Sequence, residues 1–204
     1  MPKLMAVLMV LVSCAGCASA PPVPTARELP SDAGQRDRVL ATFGQQLYGA
    51  VAKGELERVV ANDRARDSLL EPSVARRPGR ALSAKVGPET AMTPSDRALW
   101  GSARYSGFCI QSGRTELPSG VVGLRRPGFV FERGLLIGRE PGGGELAGWV
   151  EGVFLLTDAG FVALEIERIE PPRRDHSDLE LAECELADHR SSPQDVVSDV
   201  SATH

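Results

Sequence analysis

Histidine and lysine are nearly missing from this chain. Its three histidines are His176, His189 and His204, and the last two lie in or near the C-terminal tail. That count excludes a histidine-rich metal site and leaves no obvious base for a nucleophilic serine or cysteine. Lysine occurs only at Lys3, Lys53 and Lys85, so arginine supplies nearly all the positive charge, a skew that reads as genome composition. Acidic residues number 27 against 23 basic ones, for a formal charge of −4. A nucleic-acid binder needs a concentrated basic surface to displace counterions from phosphates, and this balance argues against one. Sequences of the GxSxG and HExxH types do not occur, nor does a CxxC-type metal pair in the folded part. "PGGGELAG" at 141–148 is glycine-rich, but it lacks the spacing and the Lys-Ser/Thr partner of a phosphate loop and runs into a strand pattern. It reads as a turn.

What is present is globular in balance, with 42% hydrophobic and 25% charged residues, enough for one domain with tails. The chain begins with a basic residue, Lys3, then nine apolar residues from Leu4 to Val12, then the small residues "SCAGCASA". Nine residues fall well short of the roughly 20 that a spanning helix needs. Positive charge, a short apolar run and a small-residue zone make a secretory signal. Cleavage after Ala20 would place Pro21 at the scissile bond, which disfavours it.

The stretch "LVSCAGC" resembles the lipobox of bacterial lipoproteins, where a cysteine becomes the lipid-bearing first residue. "LVSC" supplies the leucine and small residues before Cys14; "CAGC" supplies Ala-Gly before Cys17 but puts Cys14 where the pattern has leucine. Cleavage before Cys17 leaves an even number of thiols beyond the lipid-bearing one, and either cysteine remains a candidate. The resemblance implies a signal peptide over 1–16 and a lipid anchor. With no aspartate after either cysteine, it implies an outer-membrane location facing the periplasm. Residues 17–36, rich in proline and alanine, are expected to form a tether. A single domain is expected over 37–187, with a disordered tail over 188–204.

Apolar residues at Val39, Leu40, Phe43, Leu47, Tyr48 and Val51 predict an amphipathic helix from Asp37. Gly54 is placed to end it in the left-handed conformation. A second helix is expected within 55–70, and 71–92 reads as loop. Thr93, Pro94 and Asp96 have the order of N-cap, first helical position and acidic first turn. Strands are predicted near 103–113, 128–138, 147–157, 161–169 and 177–186, with Leu164 and Ile166 inward and Glu165 and Glu167 toward water. "DAG" at 158–160 is the expected hairpin joint.

Helices followed by strands predict an α+β fold, with N-terminal helices packed on a curved antiparallel sheet of about five strands. "LYGAVAKGELERVV" resembles the start of cystatin-like, NTF2-like or SnoaL-like cones. That resemblance implies a pocket between helix and sheet that Tyr48, Tyr105, Glu132, Trp149 and Glu151 could line. The alternative places both glutamates on the solvent side. Cys109 and Cys184, both in predicted strands, are candidates for a disulfide contributing about 4 kcal/mol in the chain-entropy model; two buried free cysteines, or a reactive nucleophile that would lack a nearby histidine base, are the alternatives. No cofactor or metal is implied. The function expected is a membrane-anchored envelope lipoprotein with a non-enzymatic binding or structural domain, an envelope protein being its possible partner. The alternative is a periplasmic enzyme or small-molecule carrier using the cone pocket.

Overall fold

The structure, a computed structural model, describes residues 23–72, 86–111 and 123–174. The expected α+β architecture is present. Helix α1 spans Ala33–Lys53, a 3-10 turn spans Leu56–Arg58, α2 spans Asp63–Leu69 and α3 spans Pro94–Ser102. The strands are β1 (Val86–Glu89), β2 (Arg104–Ile110), β3 (Val130–Arg139), β4 (Glu145–Thr157) and β5 (Gly160–Ile169). They form one open sheet in the order β1-β5-β4-β3-β2. β2 to β5 are an antiparallel meander, whereas β1 runs parallel to β5 at one edge, so the sheet is mixed. This edge strand comes from the 71–92 stretch expected to be loop. The strand expected at 177–186 lies outside the described residues, as do Cys14, Cys17, Cys184 and the tail.

Helix α1 begins four residues earlier than its apolar periodicity suggests, because Asp32 caps it by accepting a hydrogen bond from the Gln35 N–H at 2.8 Å. It ends where expected: Gly54 takes φ +69°, and the Glu55 N–H closes back on the Ala50 carbonyl at 2.8 Å. Residues 55–70 do not make one helix. Asn62 caps a separate α2 through the Ala65 N–H, and Val59 to Ala61 hydrogen-bond alongside Ala163 of β5. This passage around the β5 edge carries the chain from one face of the sheet to the other. At α3, Thr93 and Asp96 complete a capping box.

Two cores result. On the first face, α1 and α3 cover Phe131, Leu136, Leu146, Val150, Phe154 and Ile166. On the second, α2 and Leu70 cover Val130, Val153, Leu155 and Leu164. Gly44 sets how closely α1 approaches β2, since a Cβ there would sit 2.2 Å from the Phe108 Cβ. The segment before α1, within the stretch expected as tether, is bonded into the sheet. The Arg27 N–H reaches the Leu156 carbonyl at 2.9 Å, and the Phe129 N–H reaches the Arg27 carbonyl at 2.8 Å. Thr25 clasps the Asp158 carboxylate through its N–H at 3.1 Å and its hydroxyl at 2.8 Å.

Candidate functional site

The sheet divides the five residues that the cone resemblance grouped around a pocket. Tyr48 and Tyr105 lie on the α1 face, their rings 5.8 Å apart edge to face. Tyr48 donates its hydroxyl to the Trp100 carbonyl at 2.8 Å, and Tyr105 donates to the Ala41 carbonyl at 3.3 Å. Burial pushes both phenols up to about 12, so neither is poised to exchange a proton near neutrality. The space between α1 and the sheet is occupied by aromatic rings. Phe43 meets Phe108, Phe131, Phe154 and Phe161 with centroids 5.5–6.2 Å away, and Phe131 stacks on Phe154 at 4.8 Å. Trp100 is fully buried edge to face with the Tyr48 ring, 5.3 Å away, as a core anchor.

Trp149 and Glu151 are on the opposite face. Trp149 belongs to a small buried cluster with Cys109, Leu135 and Ala147. Glu132 stands at the bulge where β3 slips against β4 between Phe131 and Arg133. That bulge reverses which face the residues of β3 present: Phe131 packs under α1, while Arg133 lies over Trp149.

Arg133 heads a charged row that runs across four of the five strands. It faces Glu151 on β4, Glu151 faces Arg168 on β5, and Arg168 faces Glu89 on β1. On the other side Arg133 reaches the Gln111 amide oxygen at 3.5 Å. Arg133 Nε lies 3.1 Å from Glu151, close enough for an ion pair though its N–H is not aligned for a hydrogen bond, and its Nη2 lies 3.4 Å from Glu170. Arg168 and Glu89 are 3.5 Å apart at the exposed end. Signs alternate along the row, so each charge has a neighbour of opposite sign, and the Arg133 guanidinium also lies 4.2 Å from the centroid of the Trp149 ring. The row is suited to presenting a fixed pattern of charge, and less to storing a reactive proton. The loop beyond it is similarly paired: Arg174 forks onto Glu140 at 2.9 and 3.0 Å, holding that carboxyl below its usual range, and Arg173 reaches Glu170 at 3.8 Å.

No protein-family model, curated protein or solved structure matches this chain.

Sequence reasoning missed Glu165. Alternation along β5 sends it to water; in the structure it is 3% exposed. A bulge puts Glu165 opposite Val153 while Ala163 pairs with Phe154, which leaves Leu164 and Glu165 together on the second face. One carboxylate oxygen has no hydrogen-bond partner. Desolvation, with Glu167 adding to it and Arg66 of α2 opposing it, pushes its pKa up to about 7. Cys109 is disulfide-bonded. Among the described residues no group of three or more potential ligands is placed to hold a metal ion, and no helix is long and apolar enough to cross a membrane.

Proposed function

We propose that the protein is a membrane-anchored lipoprotein of the bacterial cell envelope, carried on the outer membrane by lipid on Cys17 or Cys14 and facing the periplasm. Its α+β domain acts by binding an envelope protein and not by transforming a substrate. The address is supported by the order of charge, short apolar run and cysteine at the N-terminus. The observation that carries the binding role is the alternating charged row Arg133–Glu151–Arg168–Glu89. It lies across one face of the sheet, a pattern that selects a partner by complementary charge. The competing enzyme or carrier needs a hollow between α1 and the sheet, and Phe43 with its aromatic neighbours fills that space.

The anchor is tested by palmitate labelling and globomycin sensitivity in the wild type and in Cys14→Ser and Cys17→Ser. Loss of label in one variant identifies the lipid-bearing thiol; label in neither wild type nor variants rejects the address. The binding role is tested by photocrosslinking in living cells from position 89 and, as a control, from position 53. A partner crosslinked from 89 alone, and lost in Arg168→Glu, is expected.

A further inference from the structure

The point where the chain enters the fold limits how the domain can stand on a bilayer. Among the described residues, the first bonded into the sheet are Thr25 to Arg27, held between residue 129 and residues 156–158. They lie at the end of the domain where α1 begins: a cleft there is lined by Arg27, Pro30, Gln35, Val39 and Leu156. At the other end of α1, Arg58 and Arg97 line a separate cleft beside Gly54. A helix of 21 residues separates the two ends by about 31 Å.

We infer that the Thr25–Arg27 end is the membrane-facing surface of the domain, with Arg27, Arg125 and Arg126 set against the phosphates of anionic lipid headgroups. The inference rests on the lipid-anchor reading. From Cys17 to Thr25 a fully extended chain spans about 28 Å, and from Cys14 about 38 Å. Turning the Arg58 and Arg97 end onto the bilayer would lift Thr25 by the length of α1. A strap from Cys17 cannot reach that far, and one from Cys14 would have to be nearly straight.

Charge at the near end fits the same orientation. Arg27, Arg125 and Arg126 are all exposed, and the last two line an open cleft of about 340 Å³ together with Val23, Pro24 and Thr25. Val23, the first described residue, is itself an exposed apolar side chain. Acids share this end as well: Glu28 and Asp158 line the cleft and Asp32 caps α1, and the Asp158 carboxylate is already engaged by Thr25 and lies near Arg27.

The test is arginine footprinting with phenylglyoxal on the mature lipidated protein, read by peptide mass. It compares detergent, vesicles of phosphatidylcholine alone, and vesicles containing one quarter phosphatidylglycerol. Modification of Arg27, Arg125 and Arg126 is expected to slow about fivefold in the anionic vesicles and less in the neutral ones, while Arg58 and Arg97 keep one rate throughout. An Arg27→Glu/Arg126→Glu variant leaves the bond from Arg125 to the Leu70 carbonyl in place. In it, protection of Arg125 is expected to fall to the level in neutral vesicles. Equal rates in detergent and anionic vesicles, equal protection in both vesicle types, or protection of Arg58 and Arg97 would each overturn the inference. The same spectra report acylation of the N-terminal peptide. An unacylated peptide removes the anchor and this inference with it, whereas an acylated one with unprotected arginines removes the orientation alone.

Discussion

Arg133 and Trp149 form a stacked cation–aromatic pair on the second face of the sheet, with the guanidinium carbon 4.2 Å from the ring centroid. Arg133 is diagonal to Trp149 and directly opposite Glu151. Its plane therefore covers the indole while its nitrogens reach two carboxylates. Removing Arg133 uncovers the ring and leaves Glu151 and Glu170 without their shared cation. The ion pairs are about a quarter exposed, which limits their worth, so Arg133→Ala is expected to cost about 1–2 kcal/mol in all. A double-mutant cycle of Arg133→Ala with Trp149→Leu, read from urea midpoints, should give a coupling near 0.5–1 kcal/mol. Zero coupling would mean the stack contributes nothing.

Glu165 makes stability depend on pH in an unusual direction. Its folded pKa, about 7, lies above the ordinary 4.5, so the folded state binds its proton more tightly than the unfolded state does. The contribution is therefore complete below about pH 4.5, declines as pH rises toward 7, and is flat above. The full decline is at most roughly 3 kcal/mol. In Glu165→Gln, the difference in unfolding free energy between pH 5 and pH 8 should shrink by most of that amount. An unchanged pH profile would place the carboxylate in a far wetter setting.

Two glycines of α1 make a matched pair. A Cβ at Gly49 meets nothing within 4 Å, so Gly49→Ala should stabilise by up to about 1 kcal/mol through helix propensity alone. At Gly44 the same change brings a methyl onto Phe108 and the Tyr105 hydroxyl, and overpacking, typically about 1–3 kcal/mol, outweighs the propensity gain. Opposite signs of the shift in thermal midpoint are expected. If Gly44→Ala also stabilises, α1 does not lie this close to β2.

The Thr25 clasp should be a local element. Thr25 donates two hydrogen bonds to Asp158 and thereby holds that carboxyl below its usual range. The clasp is thus kept at neutral pH and lost as pH falls through the lowered value. Hydrogen exchange of the Arg27 and Asp158 amides should quicken about tenfold in Thr25→Ala, with the urea midpoint unmoved. A shift of the whole unfolding curve would instead make this segment part of the global cooperative unit.

The parts of the fold that could be read from sequence are those specified by local chemistry. The apolar stripe from Leu40 to Val51, the Gly54 stop, the Thr93 cap and the turn at Gly160, with φ +111°, all act over a few residues. β1 was not legible, because Val86–Glu89 is four residues long, contains Gly87 and Pro88, and gains its pairing from a strand some 80 positions away. The division of the pocket residues was hidden for another reason. β4 is apolar on both faces, so its composition does not say which side Trp149 takes.

Bulges explain the rest. Counting back from the Arg139–Glu145 pair reaches Arg133 opposite Glu151 without interruption, so half of the charged row was within reach of the sequence. Counting from the Thr157–Gly160 hairpin puts Glu151 opposite Ile166. Two register slips move it to Arg168, and one of them turns Glu165 inward. A one-residue slip leaves no trace in composition, and it decided both the row and the buried acid.

The docking of Thr25 onto Asp158 also sets an order of assembly. The two are 133 positions apart, so a chain emerging amino end first must keep its opening segment waiting until nearly all the described sheet has arrived. The seam between the strap and the β4–β5 hairpin therefore closes late. Whatever receives the nascent chain meets, in the meantime, a sheet whose Leu156 carbonyl and Phe129 N–H are still open to another strand.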